Sequence, residues 1–523
     1  MLLCTKWLVQ CSALCALFFL ADVYGFQDDK NSSEINVKFN LFEVIFTEIY
    51  RTRSDNENKT NVNDCHGKCY DDLGCIQPAK NCLPLAFGQC RDPASLEEIN
   101  TKFMFFTKAK QFDPYIVDFN ILDEDIRKAP FNSSQFTVIL LHGYEDSYRE
   151  NATLGPIKNL YLNKNGSVNV IAIDWSKGAA DKNYLRAKAN VKVVGAQIAQ
   201  LLYKLNRTFG VDLNSVLLIG FSLGAQGVGY AGKFTYERLN AKIGRIIGLD
   251  AAGVCFDNRV IWPLDPEGLN PSHATIVESV HTNAAALGWG YIGSEGHYDY
   301  YPNGGEHQPG CITLSVLLAF GFERDFCSHM RKQDLYSADY ESYGECQPVA
   351  YNCSNYQQFL KGRCASCEDD QCQLMALGIQ ISNQELKLNV PNLTKSKLYI
   401  QTTSKYPFCM YHYQVKAQLK PGSKPNEINM KLIGKTNETV RLKSGPSNEY
   451  FALLTIAETD KTRTNPGPFA SALLMNLFID GLRSTTNIVE KVHINYMSNI
   501  NPRIRQSFTT TLCPLTNNQF VQC

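Results

Sequence analysis

Ser215–Gly229 reads SVLLIGFSLGAQGVG, and the rest of the chain is arranged about it. Four apolar residues, Val216–Ile219, end at Gly220-Phe221-Ser222-Leu223-Gly224, and small residues follow. The short apolar run predicts a buried strand and the small residues a helix. A strand, a sharp turn and a helix with G-x-S-x-G at the turn form a nucleophile elbow. The turn forces the serine into a cramped backbone conformation, the glycines let strand and helix approach, and the hydroxyl stands clear at the strand's carboxyl end. The five-residue pattern alone is weak; its setting gives it weight.

At 523 residues the chain is too long for one ordinary core, so two domains are expected. Its 51 basic and 51 acidic residues cancel, and no charge run marks nucleic acid as a partner. Residues 1–25 read as a secretory signal: Lys6, an apolar run from Trp7 to Ala21, then Val23 and Gly25 at a cleavage site. No later stretch is long and apolar enough to span a bilayer. Of 19 cysteines, Cys4, Cys11 and Cys15 leave with the signal, and the density of the remainder suits an oxidising compartment. N-x-[ST] acceptors run from Asn31 to Asn437. A secreted, extracellular protein is expected.

Residues 26–64 are a polar, Asn-rich extension whose structure is not readable. Cys65, Cys69, Cys75, Cys82 and Cys90 then crowd together, and local disulfides outweigh a zinc site there. From Phe103 strands alternate with helices. Thr137–Leu141, Val168–Ile173, Val216–Ile219 and Ile246–Leu249 are short apolar runs. Val191, Val194, Ile198, Leu201, Leu202 and Leu205 fall at helical spacing, with Lys192, Gln200 and Lys204 off the stripe. The alternation predicts a parallel sheet covered on both faces, its site at the strands' carboxyl ends. After about Leu374 only strand patterns follow, including Leu398–Thr402 and Tyr411–Leu419, and predict an all-β sandwich. The expected division is a first domain over 65–375, a linker near 376–395 and the sandwich over 396–523.

A serine hydroxyl needs an imidazole to take its proton, and the imidazole needs a carboxylate to hold its tautomer. Asp250 ends the strand that follows the serine's; neighbouring strands lie about 4.8 Å apart, which brings it near the serine turn. Asp174, ending an earlier strand, is the rival. Spacing does not choose among His273, His281, His297, His307 and His329. One clue favours His329. It follows Cys327, which with Cys311 would pin the ends of the apolar stretch ITLSVLLAFGFERDF, either a buried helix or a flap over an oily cleft. The oxyanion needs two donors: the amide of Leu223, after the serine, and that of Tyr144 in the strand-then-HG segment Leu141–Tyr144.

Together these pieces resemble the pancreatic lipase family. CYDDLGC, LLHGY, IAIDW, VGAQIA, IGFSLGAQ, IGRIIGLDAAGVCF, VESVHTN, DYYPNGG, QPGC and DFCSHMR occur in the family's order, within a likeness covering about residues 65–523. The resemblance implies an α/β-hydrolase with a predominantly parallel central sheet, followed by an all-β PLAT sandwich. It implies Ser222, Asp250 and His329 as nucleophile, acid and base, the amides of Tyr144 and Leu223 as oxyanion donors, and a lid closed by Cys311–Cys327. It also implies disulfides Cys69–Cys75, Cys353–Cys364, Cys367–Cys372 and Cys513–Cys523, leaving the pairing of Cys65, Cys82, Cys90, Cys255, Cys346 and Cys409 open. No cofactor is expected. The family's calcium loop corresponds to Leu269–Ala274, where Asn270 and His273 replace the expected carboxylates. The implied partner is a lipid droplet, micelle or membrane surface as substrate, with a helper protein on the sandwich. Both the Cys311–Cys327 flap and the His281–His297 segment are short for a triglyceride lipase, which leaves triacylglycerol and phospholipid both open. The competing reading is an inactive lipid-binding or yolk-type relative; a water-soluble-ester esterase is a third.

Overall fold

The computed structural model describes residues 65–80, 90–165, 168–257, 268–285, 288–311, 326–337, 348–367, 371–375, 395–433, 437–445, 449–457, 471–479, 482–484, 488–497, 509–515 and 519–523. The signal, the extension over 26–64, the stretch 312–325, nearly all of the linker, Cys82 and Cys346 lie outside them.

The first unit is built on one mixed sheet. In chain order its strands are β1 (Lys102–Thr107), β2 (Lys110–Val117), β3 (Phe136–Leu141), β4 (Val168–Asp174), β5 (Val216–Phe221) and β6 (Ile243–Leu249). They continue with β7 (Ala274–Val280), β8 (Tyr298–Pro302), β9 (Val349–Asn352), β10 (Cys372–Leu374) and β11 (Ser396–Ile400). Across the sheet the order is β10-β9-β11-β8-β7-β6-β5-β3-β4-β1-β2. The run from β4 to β11 is parallel throughout, and antiparallel strands stand at both edges. β3 and β5 are buried at every residue, as expected of strands covered on both faces.

Four helices matter to the site: α1 (Leu154–Asn165), α2 (Tyr184–Phe209), α3 (Leu223–Leu239) and α4 (Phe326–Ser337). Asn183 caps α2 by accepting from Leu185 N and Arg186 N, and Gly210 ends it at φ +70°. The expected apolar stripe of α2 is present, but its polar flank is not solvated. Lys188, Lys192, Gln197 and Gln200 are all buried. Lys188 donates to Cys255 O at 2.7 Å, and Lys192 lies over the Tyr230 ring. Burying an aliphatic side chain contributes roughly 1.5–3 kcal/mol, so the many apolar contacts carry these stems inward while their heads find a carbonyl or a ring.

The second unit is a nine-stranded, all-antiparallel sheet: β12 (Met410–Leu419), β13 (Glu427–Ile433), β14 (Asn437–Ser444), β15 (Glu449–Ala457), β16 (Ser471–Ile479), β17 (Leu482–Ser484), β18 (Val489–Tyr496), β19 (Thr509–Pro514) and β20 (Gln519–Gln522). β13 also pairs with β16, so the sheet curls round until its ends meet. Alternate residues of β12 (Tyr411, Tyr413, Val415, Ala417, Leu419) are buried in one cluster with Ile428, Met430 and Leu432 of β13.

One expectation about the boundary is corrected. Ser396–Ile400, assigned from sequence to the sandwich, is β11 and pairs in parallel with β8 of the central sheet. A short strand with three apolar residues, Leu398–Ile400, carries no sign of which sheet will receive it. The units meet through Gln401 N donating to His412 Nε2 at 3.2 Å and Gln414 Nε2 donating to Gly362 O at 2.6 Å. All five disulfides implied by the resemblance are formed, joined by Cys65–Cys90; Cys255 and Cys409 are also disulfide-bonded. Cys311–Cys327 closes a sequence separation of 16, a restriction on the unfolded chain of about 3 kcal/mol.

Candidate active site

β5 ends at Phe221 and α3 begins at Leu223, so Ser222 alone makes the turn. Its backbone sits at φ +53°, ψ −120°, a region L-residues adopt only when neighbours hold them there. The neighbours are the elbow glycines. A Cβ on Gly220 would stand 2.3 Å from Gly224 O, and one on Gly224 would stand 2.4 Å from His142 O. Both contacts are with backbone that has no room to yield. The elbow therefore depends on glycine at these two positions for approach rather than for torsion.

Register delivers the acid. Leu249 of β6 pairs with Phe221 of β5, so Asp250 and Ser222 leave adjacent strand ends together. The Asp250 side chain is wholly buried and accepts at Oδ1 from Thr282 N at 2.7 Å and Asn283 N at 3.0 Å. Room for it comes from Gly290, where a Cβ would stand 2.5 Å from Oδ1. Burial pushes the Asp250 carboxyl up, but the His329 hydrogen bond and charge, with the charge of Lys332 and the Asn283 amide, more than offset it and hold it below the usual carboxylate range.

His329, in the first turn of α4, lies between the two. Nδ1 is 2.6 Å from Asp250 Oδ2, and Nε2 is 2.8 Å from Ser222 Oγ. An ionised carboxylate only accepts, so the proton is on Nδ1 and Nε2 is left to accept from the serine hydroxyl. The ring packs on Phe221, centroids 5.4 Å apart.

The other histidines are elsewhere engaged. His281 is wholly buried, with Nε2 2.8 Å from Asp299 Oδ1 and its ring stacked on Tyr301. His297 Nδ1 accepts from Val277 N, His307 is exposed, and His273 is lowered to about 4 by burial and by Lys233 and Lys242. Asp174, the rival acid, lies 3.2 Å from His142 Nε2 and accepts from Ser176 N. It lies beside the segment before Tyr144 rather than reaching Ser222. His142 holds that segment further, with Nδ1 3.0 Å from Gly143 O and Trp175 N donating to Nε2 at 3.1 Å.

The two oxyanion candidates flank the serine. Leu223 is the first residue of α3, where the helix's own ladder offers its N–H no acceptor. Gly143 comes so near that a Cβ would be 3.0 Å from Ser222 Cβ, and Tyr144 follows it. The Tyr144 hydroxyl donates to Asp181 O, and its ring meets Tyr184 edge-on, fixing the loop.

A model of the Lipase family matches residues 67–408, well over half of the chain. This chain belongs to the lipase family. Over 76% of its length it is 30% identical to the inactive pancreatic lipase-related protein 1 of Mus musculus, covering 84% of that protein. It is 30% identical to the pancreatic triacylglycerol lipase of Homo sapiens, over 76% of this chain and 82% of that one. It is 31% identical to lipase member H of Danio rerio, over 64% and 70% respectively.

In this lipase-family chain the Leu269–Ala274 loop makes a poor calcium site. Asn270 commits its side-chain oxygen to Ser272 N, and His273 presents nitrogen to a cation that prefers charged oxygen.

Sequence reading missed four features of the site: the two amides on Asp250, Gly290, the buried acid Glu295, and Lys332 of α4. VESVHTN, which runs past the end of β7, carried only the family likeness. Glu295 is buried beside β7, its Oε1 accepting from Ser279 Oγ at 2.7 Å. Burial raises its carboxyl from 4.5 to about 8, against the charge of His281 and the Ser279 hydrogen bond. An unfolded chain releases this proton near pH 4.5, whereas the folded chain keeps it to about pH 8. Stability therefore falls as pH rises through that window and levels above it. Glu295→Gln should melt close to the native protein at pH 4.5. By pH 8.5 it should be more stable by on the order of 3 kcal/mol. Calorimetric melting against pH checks this; a gap that does not open with pH would contradict it.

Proposed function

We propose that this chain is an exported serine hydrolase cleaving carboxylic esters of water-insoluble lipids, triacylglycerol or phospholipid. The relay Ser222 Oγ, His329 Nε2 and Nδ1, Asp250 Oδ2 carries the reading. Ser222 Oγ attacks the ester carbonyl carbon as its proton passes to His329 Nε2. Asp250, ionised, stabilises the imidazolium through Nδ1–H. The oxyanion is met by the N–H groups of Leu223 and Tyr144, preorganised by α3 and by the braced HG loop. Collapse breaks the bond to the alcohol, which leaves with the proton from Nε2. Water, deprotonated by the same nitrogen, then frees the fatty acid and restores Ser222.

The lipid preference is drawn from sequence: the apolar stretch between Cys311 and Cys327 suits a cover that opens on an oily surface. The antiparallel unit from Met410 onward is read as the PLAT sandwich, offering a surface for lipid or a helper protein. Export is supported by the signal-like residues 1–25 and by the disulfides. A second reading, an inactive lipid-binding protein, is favoured by the word inactive in the name of a 30% identical relative.

One experiment separates them. The secreted protein is treated with a fluorophosphonate, and free fatty acid is followed on emulsified triacylglycerol and, in parallel, on phosphatidylcholine vesicles. The hydrolase reading expects label on the peptide containing Ser222 and fatty acid release from at least one substrate. A folded protein that neither labels nor releases fatty acid, yet binds either surface, establishes the second.

A further inference from the structure

Lys332 stands three residues after His329, on the same face of α4. Its side chain is wholly buried, and Nζ lies 3.4 Å from the centroid of the Phe221 ring. That ring is also the one packed against the His329 imidazole. Among the described residues Nζ has no hydrogen-bond partner. The face of an aromatic ring attracts a cation, but it does not replace the hydrogen bonds an ammonium loses on leaving water. Methionine would fill the same slot without that cost. Core packing therefore does not account for an amine here.

Its electrostatic surroundings do. Asp250, from the end of β6, and Asp146, from the loop after β3, are the carboxylates whose charge reaches it. Its own helix carries His329, Arg331 and Asp334, the last two within 3.5 Å of each other. On the packed helix α1, Lys158 is held by Glu150 at 2.7 Å. β5 contributes Phe221 at this point. Burial drives the Lys332 ammonium well below its usual range, while Asp250 and Asp146 draw it back. Two cations one helical turn apart in a low-dielectric interior disfavour each other. A carboxylate beside an imidazole favours its charged form, in which it is useless as a base. A charge on Lys332 opposes this.

Taking Ser222 and His329 as nucleophile and base, we propose that Lys332 is a positioning residue that competes with His329 for one proton, keeping the imidazole neutral further into the acid range than Asp250 alone would allow. Neutral replacement at this position should let His329 protonate at higher pH.

The test is the pH dependence of kcat/KM on a water-soluble nitrophenyl butyrate, from pH 4.5 to 9, each protein normalised to its own alkaline plateau. In both Lys332→Met and Lys332→Gln the acid limb should move to higher pH by about 0.5–1 unit. The melting temperature should hold or rise. An unmoved acid limb, or movement in only one of the two variants, overturns the proposal. So does loss of a cooperative melting transition in both, which would make Lys332 a core residue. Failure of the serine-hydrolase reading shows separately, as a folded native protein with neither turnover nor fluorophosphonate label.

Discussion

Ser222→Ala should lower kcat for ester hydrolysis by about 10⁵-fold or more while leaving the melting temperature within about 2 °C of the native value. The activity loss follows from removing the atom placed to attack: Oγ is 2.8 Å from His329 Nε2. What remains is binding and the oxyanion amides. Stability holds because alanine inherits the same φ of +53° and ψ of −120°, so strain is neither added nor relieved. Ser222→Gly extends the test. Glycine adopts that conformation freely, and releasing strain of order 1–3 kcal/mol should make this variant more stable than the native protein and equally inactive. Titration of released fatty acid, with calorimetric melting of all three proteins, decides it. Turnover retained by Ser222→Ala would remove Ser222 from the mechanism.

Asp250→Asn should lower kcat at neutral pH by about 10³–10⁴-fold, although the change replaces one oxygen by an amide nitrogen. The magnitude is borrowed from the serine-protease triad; the orientation of the effect comes from this site. Oδ1 accepts from both Thr282 N and Asn283 N, so the oxygen of an introduced asparagine must stay facing those amides. Its NH₂ then occupies the place of Oδ2, 2.6 Å from His329 Nδ1. Two donors do not bond, so Nδ1 gives up its hydrogen and becomes the acceptor. The proton moves to Nε2, the nitrogen that must receive the serine's. The wrong tautomer is locked in by two backbone amides. A kcat within tenfold of the native value would show that the carboxylate is not holding the tautomer.

How much of this site was readable beforehand differs residue by residue. Ser222 was legible because the elbow is local: five consecutive residues carry the strand end, the turn and the helix start. Asp250 was legible at one remove, since parallel neighbours bring their ends together and Asp250 closes the next strand. Spacing did not separate His329 from four other histidines; only its place just after Cys327 favoured it. Its side chain crosses from α4 to the ends of β5 and β6, and nothing in the spacing of 107 residues between it and Ser222 measures that crossing. The family likeness chose it, and the geometry places it between the other two. Lys332 shows the reverse case. Three positions after a histidine on a helix is a readable spacing, yet a lysine there ordinarily points to water. That it lies under Phe221 depends on α4 packing against β5.

The same division runs through the fold. Alternating strand and helix patterns, the apolar stripe of α2 and the every-second-residue pattern of β12 were already present in the order of amino acids, because each is decided by neighbours within a few residues. Ser396–Ile400 was placed in the wrong sheet because partners far along the chain decide which sheet receives it, and distant partners likewise bury Lys192 and Gln200 off the α2 stripe. Local chemistry named the strands, the elbow and the acid. Only the packed chain decided which imidazole reaches the serine, which amides orient the carboxylate and where the Lys332 amine is buried. A side chain's reach is a few ångströms in space, and sequence distance does not record it.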